Sequence, residues 1–226
     1  MNYLYLNLNI SSYNSHIIIV FEYDKLKENE RVIGLPIRIF IDQGHNPGTI
    51  NAGAEGFGLR EQDITYNVGV YLADLLNQDP NFDARLSRNS PTEVLGTTVT
   101  SSLAARVKAA NDWPADYFIS IHVNSNDNPA INGTEVYVYE ENSQAYYLGE
   151  YILNSIVNIV GTRDNQVRVR PSLYVLRRTT MPSLLVELAY ISNPSDVEKL
   201  RNDQWLFAYA IYLGLVEYFG LEPIQV

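Results

Sequence analysis

Four side chains of this 226-residue sequence have the types and positions for metal-assisted hydrolysis: His45, Glu61, His122 and Glu187. Three of them follow runs that look buried. Ile37 to Asp42 leads to His45, Tyr117 to Ile121 leads to His122, and Leu184 to Val186 leads to Glu187. In open α/β sheets the crevice beyond the carboxyl ends of the strands is the usual ligand site, so residues far apart in sequence can converge there. A lone histidine is more often a hydrogen-bonded core or surface residue than a ligand. The shared position at strand ends is what makes these informative. Cysteine is absent, so thiolate metal sites, disulfides and cysteine nucleophiles are excluded, and any metal must be held by histidine and carboxylates.

Glu61 lies three residues before Ile64 and seven before Val68, which places it on the sheet-facing side of its helix at the first turn. The plainer role for a first-turn glutamate is to complement the positive end of the helix dipole. Two histidines and one carboxylate nevertheless form a frequent catalytic zinc set, with a separate glutamate as general base, and Glu187 is the candidate for that base. A carboxylate isolated in an apolar strand would otherwise neutralise or cost several kcal/mol. Glu55 in the glycine-rich loop competes with Glu61. Asp42 is read either as a ligand or, in preference, as the group that orients the His45 imidazole through its other nitrogen. Ser120 is expected to face away from His45 and His122, which disfavours a serine hydrolase, and His16 is read as structural or exposed.

The elements that must position these groups alternate along the chain. Leu4, Leu6, Leu8 and Ile10 have a period of two, and Ile17 to Phe21 is a second β-branched run after a Ser-Ser-Tyr-Asn-Ser turn, which predicts a β-hairpin. Asp24 to Arg31 is charged. The domain boundary is placed near residue 35, giving an N-terminal extension over 1–35 and a catalytic domain over 36–226. In the latter, helices are expected from Arg60 to about Asn77, from Ser101 or Ser102 to Ala110, from Ser143 through Ile159, and from a Ser195-x-x-Glu198 capping box to Phe219. Strands are expected at Ile37, Tyr117, Ser183 and, as an antiparallel or edge strand, Thr134 to Tyr139. The order implies an α/β fold with a mixed, mostly parallel central sheet and helices on both faces.

The chain is 46% hydrophobic, enough for one sizeable core, and carries a formal net charge of −10, which argues against nucleic acid as a partner. The apolar stretches at 16–21, 183–191 and 206–219 fall short of the roughly 20 residues that span a bilayer. No transmembrane segment is expected, and no secretory signal peptide is visible at the N-terminus.

Five ordered segments carry a family resemblance: Ile41-Asp-Gln-Gly-His45, the Leu-Arg-Glu61 helix start, Leu103-Ala-Ala-Arg-Val-Lys-Ala-Ala-Asn111, Phe118-Ile-Ser-Ile-His-Val-Asn124 and Met181-Pro-Ser-Leu-Leu-Val-Glu-Leu-Ala-Tyr-Ile-Ser-Asn193. Together they resemble the zinc-dependent N-acetylmuramoyl-L-alanine amidases of the type-3 amidase family, over residues 37 to 220. The resemblance implies cleavage of the amide between the lactyl group of N-acetylmuramic acid and L-alanine of the peptidoglycan stem peptide. It implies one zinc ion held by His45, Glu61 and His122, with Glu187 as the catalytic carboxylate, and structural roles for Arg106 and Asn111. Implied with it are peptidoglycan as the partner, an extracellular or wall-associated location, an activator protein as a candidate partner, and a monomer.

Where the family commonly has Asp-Pro-Gly-His-Gly-Gly, this chain has Asp42-Gln-Gly-His-Asn-Pro-Gly48. Gln62 replaces a usual lysine, and Leu188-Ala-Tyr a usual Leu-Gly-Phe. These departures bear on substrate fit rather than on the metal ligands. Asn124 and the arginines at 163, 168, 170, 177 and 178 are candidate substrate-binding residues, with Arg177 and Arg178 placed first. Arginine binds carboxylates bidentately, and the stem peptide carries free ones; solvated surface charge is the plain alternative. Two other readings compete: a wall-binding module of the same fold without turnover, and a zinc peptidase acting on ordinary peptides.

Overall fold

The computed structural model describes residues 8–13, 16–21 and 35–225. The chain divides into two compact units, Met1–Leu35 and Pro36–Val226. In the first, β1 (Leu8–Tyr13) pairs antiparallel with β2 (His16–Phe21), with Leu8 opposite Phe21 and Tyr13 opposite His16. The β1 ladder runs through Ser11 and Ser12, which the sequence assigns to the turn, because Ile17 and Ile18 pair with them. Leu4 and Leu6 of the expected alternation, and the charged segment 24–31, lie outside the described residues.

The second unit is built on a six-stranded sheet. In chain order its elements are β3 (Ile37–Gln43), a small ribbon of β4 (Glu55–Gly56) and β5 (Leu59–Arg60), α1 (Glu61–Gln78), β6 (Phe82–Leu86), α2 (Val99–Asp112), β7 (Tyr117–Asn124) and β8 (Thr134–Val138). These are followed by α3 (Gln144–Val160), β9 (Asp164–Val169), α4 (Tyr174–Arg178), β10 (Ser183–Tyr190), α5 (Pro194–Asn202) and α6 (Gln204–Tyr218). The spatial order of the strands is β6-β3-β7-β10-β8-β9. Neighbours are parallel except at the β10–β8 junction, where the direction reverses.

Alternation along each strand divides the core. Ile39, Ile41, Ile119, Ile121, Val136, Val138, Leu184 and Val186 join the apolar faces of α1, α3 and α6 in one cluster, while Phe40, Phe118 and Leu185 meet Val107, Val175 and Leu176 of α2 and α4 on the other face. Each such side chain, removed from water, contributes about 1.5–3 kcal/mol toward the sheet–helix packing. The mixed sheet with helices on both faces is thus the architecture the sequence implies.

Local departures have local causes. Helix α2 starts at Val99, earlier than expected, because Thr98 caps it: its hydroxyl accepts from Ser101 N at 3.1 Å, and Ser101 Oγ accepts from Thr98 N at 2.9 Å. The predicted capping box at Ser195 does not form. Asn193 caps α5, accepting from Asp196 N at 3.0 Å, and Pro194 occupies the first helical position, where its missing N–H costs nothing. That helix ends at Asn202, and a separate one, α6, follows. Strand β8 is antiparallel to β10 but not an edge strand; β9, which lacks a strong apolar period, covers it, and β6 forms the opposite edge.

Candidate metal centre

His45 stands just past the end of β3 with φ of 67°, a left-handed conformation uncommon for a residue with a β-carbon. Three contacts hold it there. Asn46 N donates to the Asn51 carbonyl at 3.0 Å, His45 Nδ1 lies 3.1 Å from the same oxygen, and the Arg106 guanidinium donates to the His45 carbonyl. Because a carbonyl only accepts, Nδ1 is the donor in this contact, and Nε2 is turned into the crevice toward the Glu61 carboxylate.

Glu61 is the first residue of α1 and is 3% exposed. Its Oε2 accepts from Ala54 N at 2.9 Å and its Oε1 from Val123 N at 2.9 Å. That same Oε1 is 3.1 Å from His45 Nε2 and 3.1 Å from His122 Nδ1. Burial opposes its charge, but hydrogen bonds and positive charge from His122 and His45 outweigh burial and hold the carboxyl well below the usual range. His122 sits in β7, its ring edge-on to that of His45 with centroids 4.8 Å apart. A β-carbon on Gly44 would lie 2.6 Å from His122 Nε2 and 2.6 Å from the Ile121 carbonyl, so only glycine lets the β3 loop pass the ring.

One ligand atom from each of His45, Glu61 and His122 lies within 4.8 Å of the others. Two imidazole nitrogens and a carboxylate oxygen, each braced by a backbone group or by close packing, are a donor set suited to a divalent metal of the zinc type. The competing Glu55 is exposed in β4.

Asp42 does not orient His45. It is 1% exposed and accepts from Arg106 Nη1 at 2.6 Å and from Ser120 Oγ at 2.8 Å. Burial pushes its pKa up, but the charge and hydrogen bond of Arg106, with Ser120, overcome this and leave it low. Arg106 donates in addition to the carbonyl of Gln43, so this buried pair ties α2 to the loop carrying His45. Ser120 shares its face with His122, as residues two apart on a strand must, contrary to expectation. Its hydroxyl is buried and committed to Asp42.

Glu187 lies in β10 directly between His122 of β7 and Glu135 of β8 in the strand register. The residue is partly exposed, yet its Oε2 is enclosed and has no hydrogen-bond partner among the described residues. Burial, followed by the negative charges of Glu61 and Glu135, raises its pKa well above the ordinary glutamate value. A carboxyl whose proton affinity is raised by burial and neighbouring acids is suited to accept a proton from a reacting group.

Glu135 is the group that sequence reasoning missed. It is 2% exposed, and its Oε1 accepts from Asn124 Nδ2 at 2.6 Å and from the Tyr190 hydroxyl at 2.6 Å. Asn124 is therefore engaged with Glu135. The alternation of Glu135 and Tyr137 with Val136 and Val138 was visible; the register that sets Glu135 beside Glu187 is non-local and was not. Arg177 and Arg178 are not brought to this crevice. They end α4, ahead of the start of β10; Asn111 Nδ2 donates to the Arg178 carbonyl at 3.2 Å, and Arg177 lines a separate cavity of about 450 Å³ with Tyr139, Thr180 and Met181.

The family model for N-acetylmuramoyl-L-alanine amidase of the type-3 class matches residues 39–217. The chain is 35% identical to the N-acetylmuramoyl-L-alanine amidase CwlM of Bacillus licheniformis over 77% of its own length and 64% of that protein's. It is 37% identical to LytC, an N-acetylmuramoyl-L-alanine amidase of Bacillus subtilis, over 80% of its length and 35% of that protein's. It thus spans between about a third and two thirds of these relatives. The N-acetylmuramoyl-L-alanine amidase AmiC2 of Nostoc punctiforme has a similar structure, with a TM-score of 0.71 and 33% identity, over 81% of this chain and 97% of that one.

Proposed function

The chain belongs to the type-3 N-acetylmuramoyl-L-alanine amidase family, and from that premise we propose that it hydrolyses the amide between the lactyl group of N-acetylmuramic acid and L-alanine of the stem peptide in bacterial peptidoglycan. The observation that carries the reading is the His45–Glu61–His122 cluster with the unpartnered oxygen of Glu187 on the neighbouring strand.

His45 Nε2, Glu61 Oε1 and His122 Nδ1 would hold one zinc ion, and Asn51, Ala54 and Val123 fix the orientation of two of those groups. Bound there, zinc supplies Lewis acidity toward the lactyl carbonyl and lowers the pKa of water. Glu187 takes the proton of the attacking water on its carboxyl and returns it to the departing L-alanine nitrogen, so the peptide leaves as an amine. Its raised proton affinity, caused by burial and by Glu61 and Glu135, favours taking up that proton. The neutral face of Ser120 and the Asp42–Arg106 pair lie beneath the site and hold its frame without entering the chemistry. The substrate places the enzyme at the cell wall, and no helix among the described residues is long and apolar enough to cross a membrane.

The test is digestion of purified peptidoglycan with and without added zinc, read by mass spectrometry for stem peptides bearing a free N-terminal alanine. Release by the parent, lost on chelation and in Glu187→Gln, is the expected result. Failure of the zinc-loaded parent to release peptide would favour a wall-binding module or an enzyme that waits for an activator.

A further inference from the structure

On the face of the sheet that carries Glu187, β8 and β9 present a row of polar and aromatic groups. Glu135 and Tyr137 project from β8 on the side opposite Val136 and Val138, which pack in the larger core cluster. The register sets Arg168 of β9 beside Tyr137. Arg168 Nη1 lies 3.4 Å from Glu135 Oε2, its Nε donates to the Asn165 carbonyl at 2.9 Å, and its side chain is 49% exposed. Two residues on, Arg170 stacks over the Tyr137 ring with its guanidinium carbon 5.0 Å from the centroid. Arg170 is exposed and forms no ion pair with a carboxylate among the described residues.

These contacts set up a binding shelf. Glu135 is buried, held by Asn124 and Tyr190, and has a second oxygen without a hydrogen bond. With Asn165 on Nε, and Nη2 without a partner among the described residues, Glu135 holds Nη1 of the Arg168 guanidinium. Tyr137 does the same for Arg170 through its ring face. An exposed arginine pair pre-positioned at the end of β9, in a chain of net charge −10, is poorly explained as ordinary surface charge. By register Arg168 lies two strands from Glu187 and opposite Tyr137, but its guanidinium reaches Glu135, the direct neighbour of Glu187 at one strand spacing of about 5 Å, while Arg170 sits farther along over Tyr137. A residue or two of extended peptide, about 3.5–7 Å, covers the step from Glu187 to the Arg168 head.

We propose that Arg168 and Arg170, the first positioned by Glu135 and the second by Tyr137, form the subsite for the stem peptide beyond its L-alanine, and that they select peptides with free carboxylates there. The proposal rests on the amidase reading and moves the carboxylate-binding role from Arg177 and Arg178 to β9. A guanidinium pays little ordering entropy when it is already tethered, and it meets a carboxylate with two parallel N–H donors. An amide at the same position offers only one acceptor oxygen and no charge.

The experiment uses two soluble muropeptides, one with a free carboxylate on the residue after L-alanine and one with that carboxylate amidated. The zinc-loaded parent, Arg168→Ala, Arg168→Lys, Arg170→Ala and Arg177→Ala are compared on both. Arg168→Ala is expected to raise KM at least about tenfold on the free-acid substrate with kcat little changed, and to have a much smaller effect on the amidated one. Arg168→Lys should recover only part of the loss, and Arg177→Ala should match the parent. In parallel, calorimetric binding of the free stem peptide to the parent and to Arg168→Ala reads the subsite without turnover. Equal losses on both substrates, or unchanged peptide binding in Arg168→Ala, would overturn the proposal. A parent that binds the peptide through Arg168 but cleaves neither substrate would leave the subsite standing and count against turnover by the chain alone.

Discussion

Replacing Glu187 by glutamine should make the metal-free protein more stable as it removes the hydrolytic activity. The carboxyl sits between His122 and Glu135, with one oxygen enclosed and two other acids, Glu61 and Glu135, raising its pKa. A group whose folded pKa lies above its unfolded one contributes fully below the unfolded value, about 4.3 for glutamate, and its contribution is lost as pH rises toward the folded value. The loss is about 1.4 kcal/mol for each unit between the two. An enclosed carboxylate oxygen with no hydrogen bond costs about 1–3 kcal/mol. Because the side chain is partly exposed to the crevice, water screens some of this, and we expect about 1–2 kcal/mol of relief at pH 7. For a domain of this size that is roughly 3–6 °C in Tm. Glutamine keeps the shape and does not titrate. Thermal unfolding of chelated parent and variant at pH 4.5, 6 and 7.5 is the assay. The gain should be near zero at the acid end and grow with pH, while activity of the zinc-loaded variant falls by about 10²–10⁴. A variant that is less stable at pH 7.5, or a difference that does not change with pH, would refute the burial and charge argument for Glu187.

Two further perturbations test the frame around the site. Gly44→Ala puts a methyl group where the His122 ring and the Ile121 carbonyl already lie 2.6 Å away, so the variant should fold, by circular dichroism, yet retain less zinc than the parent when both are dialysed against a competing chelator. Asp42→Asn leaves Arg106 buried without its counter-charge and should cost about 3–5 kcal/mol in denaturant unfolding at pH 7. Since the Asp42 pKa is depressed in the folded protein, its contribution is present above the unfolded value and is lost as pH falls through the folded one. The deficit of the variant should therefore shrink in strong acid.

The candidate site was largely legible in the sequence because its key residues sit where strands end, and strand ends are marked by a change from apolar runs to polar loops. His45, His122 and Glu187 share that signature, and Glu61 adds a helix start on the sheet-facing side. The helices carried their own marks, although a serine at the third position of α2 stood in for the glutamate of the usual capping box, and Pro194 made Asn193 rather than Ser195 the cap of α5. Less visible were β6, whose Phe82-Asp-Ala-Arg-Leu alternates but is only five residues long, and β9, which opens on three polar residues and is mostly exposed. Glu135 and Arg168 were hidden for a different reason. Their meaning depends on which residue stands opposite which across β10, β8 and β9, and no local pattern encodes that register. The same gap explains why Arg177 and Arg178, nearest to Glu187 in sequence among the arginines, are at the far end of its strand.

His45 keeps its unusual backbone angle only while Arg106 of α2 grips its carbonyl and Asn51 grips its ring. On the proposed zinc reading, metal capture reads out tertiary docking: with the sheet formed but α2 not yet seated, Glu61 and His122 keep their contacts while His45 lacks one that sets its backbone. Variants loosened anywhere along the α2 contact should give up zinc before they lose secondary structure, and bound zinc should in turn protect the amides of α2 from exchange. In this protein the order in which parts come loose is written into the link between a helix and a loop some 60 residues earlier.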